Sequence, residues 1–215
     1  MSGLRTFVLD GEQGFEARGW AARGWREEGS WQGGTAFGVV TRGPTVLLHD
    51  GDAWALRPAT WFVMPRGGAL RGGEGLLVIV SGYAGVRQVG GPLEARGRLV
   101  YVDGCTDTLL ACPPRLGEPS LNHLHVPVEA NQRAHTHASD RVGVIVRGSG
   151  WCITPGGRAQ LVEGTGWWIP ANTVHHFVAD ADAPLDVVAW HPDSVFGPTD
   201  EHHPMRTGTL PVPPR

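Results

Sequence analysis

The chain repeats itself. Phe37-Gly-Val-Val-Thr-Arg-Gly43 is echoed by Val142-Gly-Val-Ile-Val-Arg-Gly148, and Trp61-Phe-Val-Met-Pro65 by Gly166-Trp-Trp-Ile-Pro170. Both pairs share an offset of 105 residues, and the same shift lays Leu56 on Leu161. Matching apolar runs follow downstream, Leu76–Val80 in one half and Leu185–Ala189 in the other. Agreement at one offset across several segments marks a tandem duplication of one structural unit. A length of 215 residues suits two small units.

Each unit reads as short apolar strands divided by turn residues: Arg-Gly-Pro, His-Asp-Gly-Asp and Pro-Arg-Gly-Gly in the first, Arg-Gly-Ser-Gly, Thr-Pro-Gly-Gly and Glu-Gly-Thr-Gly in the second. With 32 Gly and 17 Pro beside 41% hydrophobic residues, that pattern specifies an all-β sandwich or barrel, not disorder. No convincing amphipathic helix appears; Gly11–Glu28 and Glu94–Val102 give the weakest strand signals. Residues 104–120 read as a linker with an entering strand, and the tail from His191 is Pro-rich and aperiodic. That tail is expected to pack over a barrel or reach a partner subunit, its last residues without fixed structure.

The net charge of −3, with no basic or acidic block, gives no footprint for nucleic acid. No apolar run is long enough to span a membrane, and the N-terminal residues lack a signal-peptide core. Cys105, Cys112 and Cys152 are odd in number and in no metal-type spacing, so a reduced, cytoplasmic protein is the expectation.

The chemistry concentrates in the second copy. His135 and His137 are two residues apart in a segment running on into Val142–Val146, and strand alternation puts both side chains on one face, roughly 6.5–7 Å apart. His175 follows a strand-like run and a turn. Neutral imidazole suits zinc, copper, iron and nickel. Shifted by the repeat, the three histidines fall on Ser30, Gln32 and Leu70. The first copy lacks every candidate ligand, so the spacing predicts one mononuclear metal site per chain. His176 points the other way, and the His-rich run Thr199–His203 reads as a solvated loop.

These residues resemble the cupin superfamily, whose motifs are G-x5-H-x-H-x3-4-E-x6-G and G-x5-P-x-G-x2-H-x3-N. His135-Thr-His137 and Gly148 match the first; Gly164, Pro170 and His175 match the second, with Asn172 in a glycine place that it tolerates through a left-handed backbone. The resemblance implies a bicupin of two tandem double-stranded β-helix (jelly-roll) barrels. Residues 1–104 would form a degenerate N-terminal cupin without metal ligands, 105–195 the metal-binding cupin, and 196–215 an irregular tail.

The departure is at the fourth ligand, where cupins usually carry Glu and this chain has Arg141 and Val142. Alternation from His135 and His137 turns Arg141 toward the metal; a bulge would reverse the phase and present Asp140 instead. Three histidines with open positions are similar to the three-histidine cupin dioxygenases. That implies Fe(II), with Zn, Ni or Mn as other occupants, and an anionic small-molecule substrate held by Arg141. His123, His125, Gln132, Trp168 and Phe177 are the candidate pocket residues. Two rival readings are a lyase or isomerase using its metal as Lewis acid, and a binding or sensor protein without turnover. A homodimer is expected, because barrel edges need covering.

Overall fold

The computed structural model describes residues 3–11, 13–206 and 208–210. In chain order its strands are β1 (Arg5–Val8), β2 (Gly14–Ala17), β3 (Trp20–Arg42), β4 (Thr45–His49), β5 (Asp52–Leu56), β6 (Trp61–Val80), β7 (Gln88–Gly90) and β8 (Leu99–Val100). There follow β9 (Thr106–Ala111), β10 (Ser120–Val126), β11 (Arg141–Thr154), β12 (Gly157–Val162), β13 (Thr165–Ile169), β14 (His176–Ala179) and β15 (Leu185–His191). The helical elements among the described residues are two 3-10 turns, Val102–Gly104 and Pro204–Arg206. Residues 211–215, where an unstructured end is expected, lie outside the described residues.

All pairings are antiparallel and fall into two sheets. The first runs β2-β3-β6-β4-β5, with β7 on β6; the second runs β1-β13-β11-β15-β10-β9-β8, with β12 and β14 on the far half of β11. The repeat is carried in the pairing itself. Ala36, Phe37, Gly38 and Val39 pair with Met64, Val63, Phe62 and Trp61. Arg141, Val142, Gly143 and Val144 pair with Ile169, Trp168, Trp167 and Gly166, each partner 105 residues on. Gly38 and Gly143 are glycines for one reason: a Cβ would meet Phe62 at 2.0 Å in the first unit and Trp167 at 2.4 Å in the second. The long strands turn corners between partners. At Gly148 the backbone has φ 79°, and a side chain there would strike the carbonyl of Pro184.

Strand alternation sorts the cores. Even-numbered Val142, Val144 and Val146 of β11, with Val188 and Trp190 of β15, face the first sheet and meet Trp20, Phe37, Val39, Leu76 and Val78. Trp20 lies edge-on to Trp168 and tilted against Trp190, at 5.4 and 5.5 Å between centroids. Burying a large apolar side chain in such a seam contributes about 2–3 kcal/mol. The odd-numbered Ile145, Val187 and Ala189 face inward with Trp167 and Phe177. The interior of the first sheet is filled by Trp25, Trp31, Phe62, Met64 and Leu70, with Trp31 stacked on Phe62 at 6.2 Å. Leu70, the repeat counterpart of His175, is part of that filling.

Sheet membership departs from the division at residue 104. Strand β1 pairs with β13, Arg5 opposite Trp168, and β8 pairs with β9. The sheet of the second unit therefore takes strands from both sides of the linker.

Candidate metal centre and its cavity

His135 and His137 precede β11, with a bend at Ala138–Ser139 where the sequence suggests continuous strand. His135 instead sits in an isolated antiparallel bridge with His175. The loop carrying His175 turns at Asn172, whose φ of 60° is the left-handed conformation expected of the glycine place. The Asn172 N–H donates to the carbonyl of His137 at 2.7 Å, tying the two loops together.

The rings converge, with centroids 5.0 Å apart for His135–His137, 4.7 Å for His135–His175 and 5.2 Å for His137–His175. One nitrogen from each lies within 4.8 Å of the others. Backbone carbonyls set the tautomers: Nδ1–H of His135 donates to Arg133 at 2.9 Å, and Nδ1–H of His175 to Thr173 at 2.8 Å. That leaves Nε2 of both rings as a lone pair, the arrangement found in metal-ligating histidines. Burial, with Arg141 and neighbouring histidines adding, lowers His137 to about 3 and His175 to about 4. Both are neutral at physiological pH, as metal ligation requires. This donor set fits a divalent transition metal with open coordination positions.

Arg141 opens β11 on the parity of Gly143 and Ile145 and lines the same cavity as the three histidines, about 260 Å³ in volume. Its Nη1 donates to the carbonyls of Ser139 and Asp140 and to the Ser139 hydroxyl, while Nε is buried without a partner. No ion pair reaches its guanidinium among the described residues, and burial lowers its pKa. Asp140 points elsewhere, accepting from the Ala171 N–H at 2.9 Å. No bulge reverses the phase here.

The candidate pocket residues divide. Phe177 lines the cavity, 6.1 Å from the His175 ring. Trp168 does not: it faces the seam against Phe15 and Trp20, and Trp167 takes the cavity side. His123 and His125 also lie on the outward parity of β10, where both donate to Oδ1 of buried Asp186 at 2.9 and 2.8 Å, while Arg147 holds Oδ2 at 2.8 Å. Gln132 is buried behind the wall; its amide contacts Cys105 Sγ, and its oxygen accepts from the Phe177 N–H. The cavity-facing residues of these strands are Asn122 and Leu124 on β10, with Val187, Ala189 and His191 on β15. Asp107, Tyr101 and Phe196 also line the cavity, and motif reading misses them. A pairing of β10 with β15 that put Asn122 opposite Ala189 would have been the signal.

No protein-family model matches the sequence, and no curated protein sequence matches it. Solved structures do. A Pseudomonas aeruginosa protein bearing the name glyoxylate-induced protein superposes with a TM-score of 0.66 at 13% identity, over 92% of this chain and 83% of that one. A cupin 2 conserved barrel domain protein from Leptotrichia buccalis gives 0.57 at 12%, over 89% of each chain. A glycine-to-alanine mutant of salicylate 1,2-dioxygenase from Pseudoaminobacter salicylatoxidans, in complex with gentisate, gives 0.59 at 9%, over 80% of this chain and 68% of that one. At such identities the likeness shows a shared cupin-like fold and carries no activity with it. Among the described residues no helix is long and apolar enough to cross a membrane.

Proposed function

We propose that this chain is a metal-dependent bicupin, two tandem barrels with the metal in the second, acting as a dioxygenase-like enzyme on a small organic acid. The observation that carries the reading is Arg141: a half-buried guanidinium whose Nε is buried without a partner and which has no ion pair among the described residues, lining one cavity with three histidines whose free nitrogens converge. A buried cation of this kind is costly unless an anion arrives, and a carboxylate matches the guanidinium fork. Iron(II) bound by His135, His137 and His175 would supply open positions for the acid and dioxygen. Arg141 would orient the acid, Trp167 and Phe177 would flank its apolar body, and the apolar wall would exclude water.

Elemental analysis of untagged protein, followed by oxygen uptake with Fe(II) and a panel of carboxylic acids, tests the reading. About one transition metal per chain and acid-dependent oxygen uptake support it. A wild-type protein that holds no metal even after reconstitution with Fe(II) overturns it. Turnover without oxygen favours a Lewis-acid lyase or isomerase, and acid binding without turnover favours a sensor.

A further inference from the structure

On the cavity wall contributed by β9, β10 and β15, three polar side chains stand among Leu109, Leu124, Val187 and Ala189. Asn122 Nδ2 donates to Asp107 Oδ2, and Asn122 Oδ1 lies 2.7 Å from Nε2 of His191. The direction of this chain is determined. An Asn that gives its N–H to a carboxylate presents its oxygen to the next group, and an oxygen only accepts. His191 therefore carries its proton on Nε2, which leaves Nδ1 as an acceptor. Burial, with Arg141 and His137 nearby, holds that ring neutral. At the other end Asp107 makes no ion pair among the described residues, and burial pushes its carboxyl up to about 6. Among the described residues only one of its oxygens has a hydrogen-bond partner. Both ends of the chain thus offer acceptors to a cavity that the cation Arg141 also lines.

We propose that Asp107, Asn122 and His191 form a hydrogen-bond chain of fixed direction that selects, among small organic acids, those bearing a hydroxyl or amino donor on the skeleton. The inference rests on the acid-binding reading above and adds a second recognition point to it. A ligand lacking the donor leaves these acceptors dry and unpaired, which is how polar sites reject analogues.

The test is calorimetric titration of the full chain loaded with zinc, a redox-inert stand-in, using benzoate, hexanoate and their hydroxylated and methoxylated derivatives. At least one hydroxylated isomer should bind about tenfold or more tightly than its parent and its methoxy counterpart. His191→Phe and Asn122→Leu should abolish that preference, read as the ratio of the hydroxylated acid's affinity to its parent's within each variant. Asp107→Asn can keep its oxygen on Asn122 and turn an N–H2 toward the cavity, so it should shift preference toward the methoxy acid. This last variant decides the matter if either of the others fails to fold. Acids that bind, lose affinity in Arg141→Met and yet show no hydroxyl preference overturn the inference alone. If no acid binds, or Arg141→Met changes nothing, the acid reading falls and takes the inference with it.

Discussion

His135 and His175 exchange both backbone hydrogen bonds across one isolated bridge, N–H to carbonyl at 3.0 Å in one direction and 2.9 Å in the other. Two candidate ligands from segments some forty residues apart are therefore fixed by main chain, independently of their rings. Removing a ring should empty the site and leave the frame. In His175→Ala, and in the double variant His135→Ala/His137→Ala, elemental analysis should show metal falling from about one equivalent to near zero. Unfolding of the metal-free proteins should stay within about 1–2 kcal/mol of metal-free wild type.

Arg141→Met should separate stability from binding. Methionine fills the space of the guanidinium without its desolvation cost, so denaturant unfolding of the metal-free protein should show a gain of about 1 kcal/mol. Acid binding measured by calorimetry should weaken by a hundredfold or so, roughly 2–3 kcal/mol for a lost charge-assisted contact.

Asp186 is the opposite case, a buried carboxylate fully paired. Burial acts to raise its pKa, but hydrogen bonds from His123 and His125 and the charge of Arg147 outweigh it, so the net shift is downward. A depressed carboxylate adds stability that is present above its unfolded value and disappears as pH falls through the folded one. Acid unfolding below about pH 4 should thus be partly an Asp186 transition. Asp186→Ala should cost about 3–5 kcal/mol at neutral pH by stranding three donors.

Asp107 carries the reverse sign. Its folded value of about 6 lies above the ordinary carboxyl value of 3.8. Folding then favours the protonated form, and stability declines as pH rises from about 4 to 6. Asp107→Asn should flatten that slope and be about 1–2 kcal/mol more stable than wild type at pH 8, after screening by cavity water. Urea midpoints of the two proteins across pH 4–8 check it.

Adjacent tryptophans should behave differently. Trp167→Ala opens the cavity and should change acid affinity and selectivity, whereas Trp168→Ala loosens the seam with Trp20 and Phe15. Each should cost about 3–5 kcal/mol of stability. Only the first should alter ligand discrimination.

That contrast also shows how far the sequence could be read. The offset between Phe37–Gly43 and Val142–Gly148 reports the duplicated pairing directly, because conserved register requires conserved apolar and glycine positions. The three histidines follow from local spacing and converge in the fold, and Arg141 reaches the same cavity although a bend at Ala138–Ser139 interrupts the expected continuous strand. His123, His125 and Trp168 were assigned to the cavity by proximity in sequence to the motifs, whereas facing depends on which way β10 and β13 present their pleats. Parity on β11 is tied to the histidines by a short connection; parity on β10 is tied to nothing local. Asp107, Asn122 and His191 come from three separate strands, and no spacing rule joins residues that meet only through sheet order.

The pairing of Arg5–Val8 with β13 has a consequence for anyone who would divide this molecule. The histidine-bearing half is completed by a strand from before the other half begins, so the filled first unit is nested inside the second and does not simply precede it. Residues 105–215 produced alone would show β13 as a naked edge beside Trp168, ready to recruit any extended peptide or a second copy of itself. A single chain cut into two modules would lose this pairing, and a chain rejoined at new ends inside the linker would keep it.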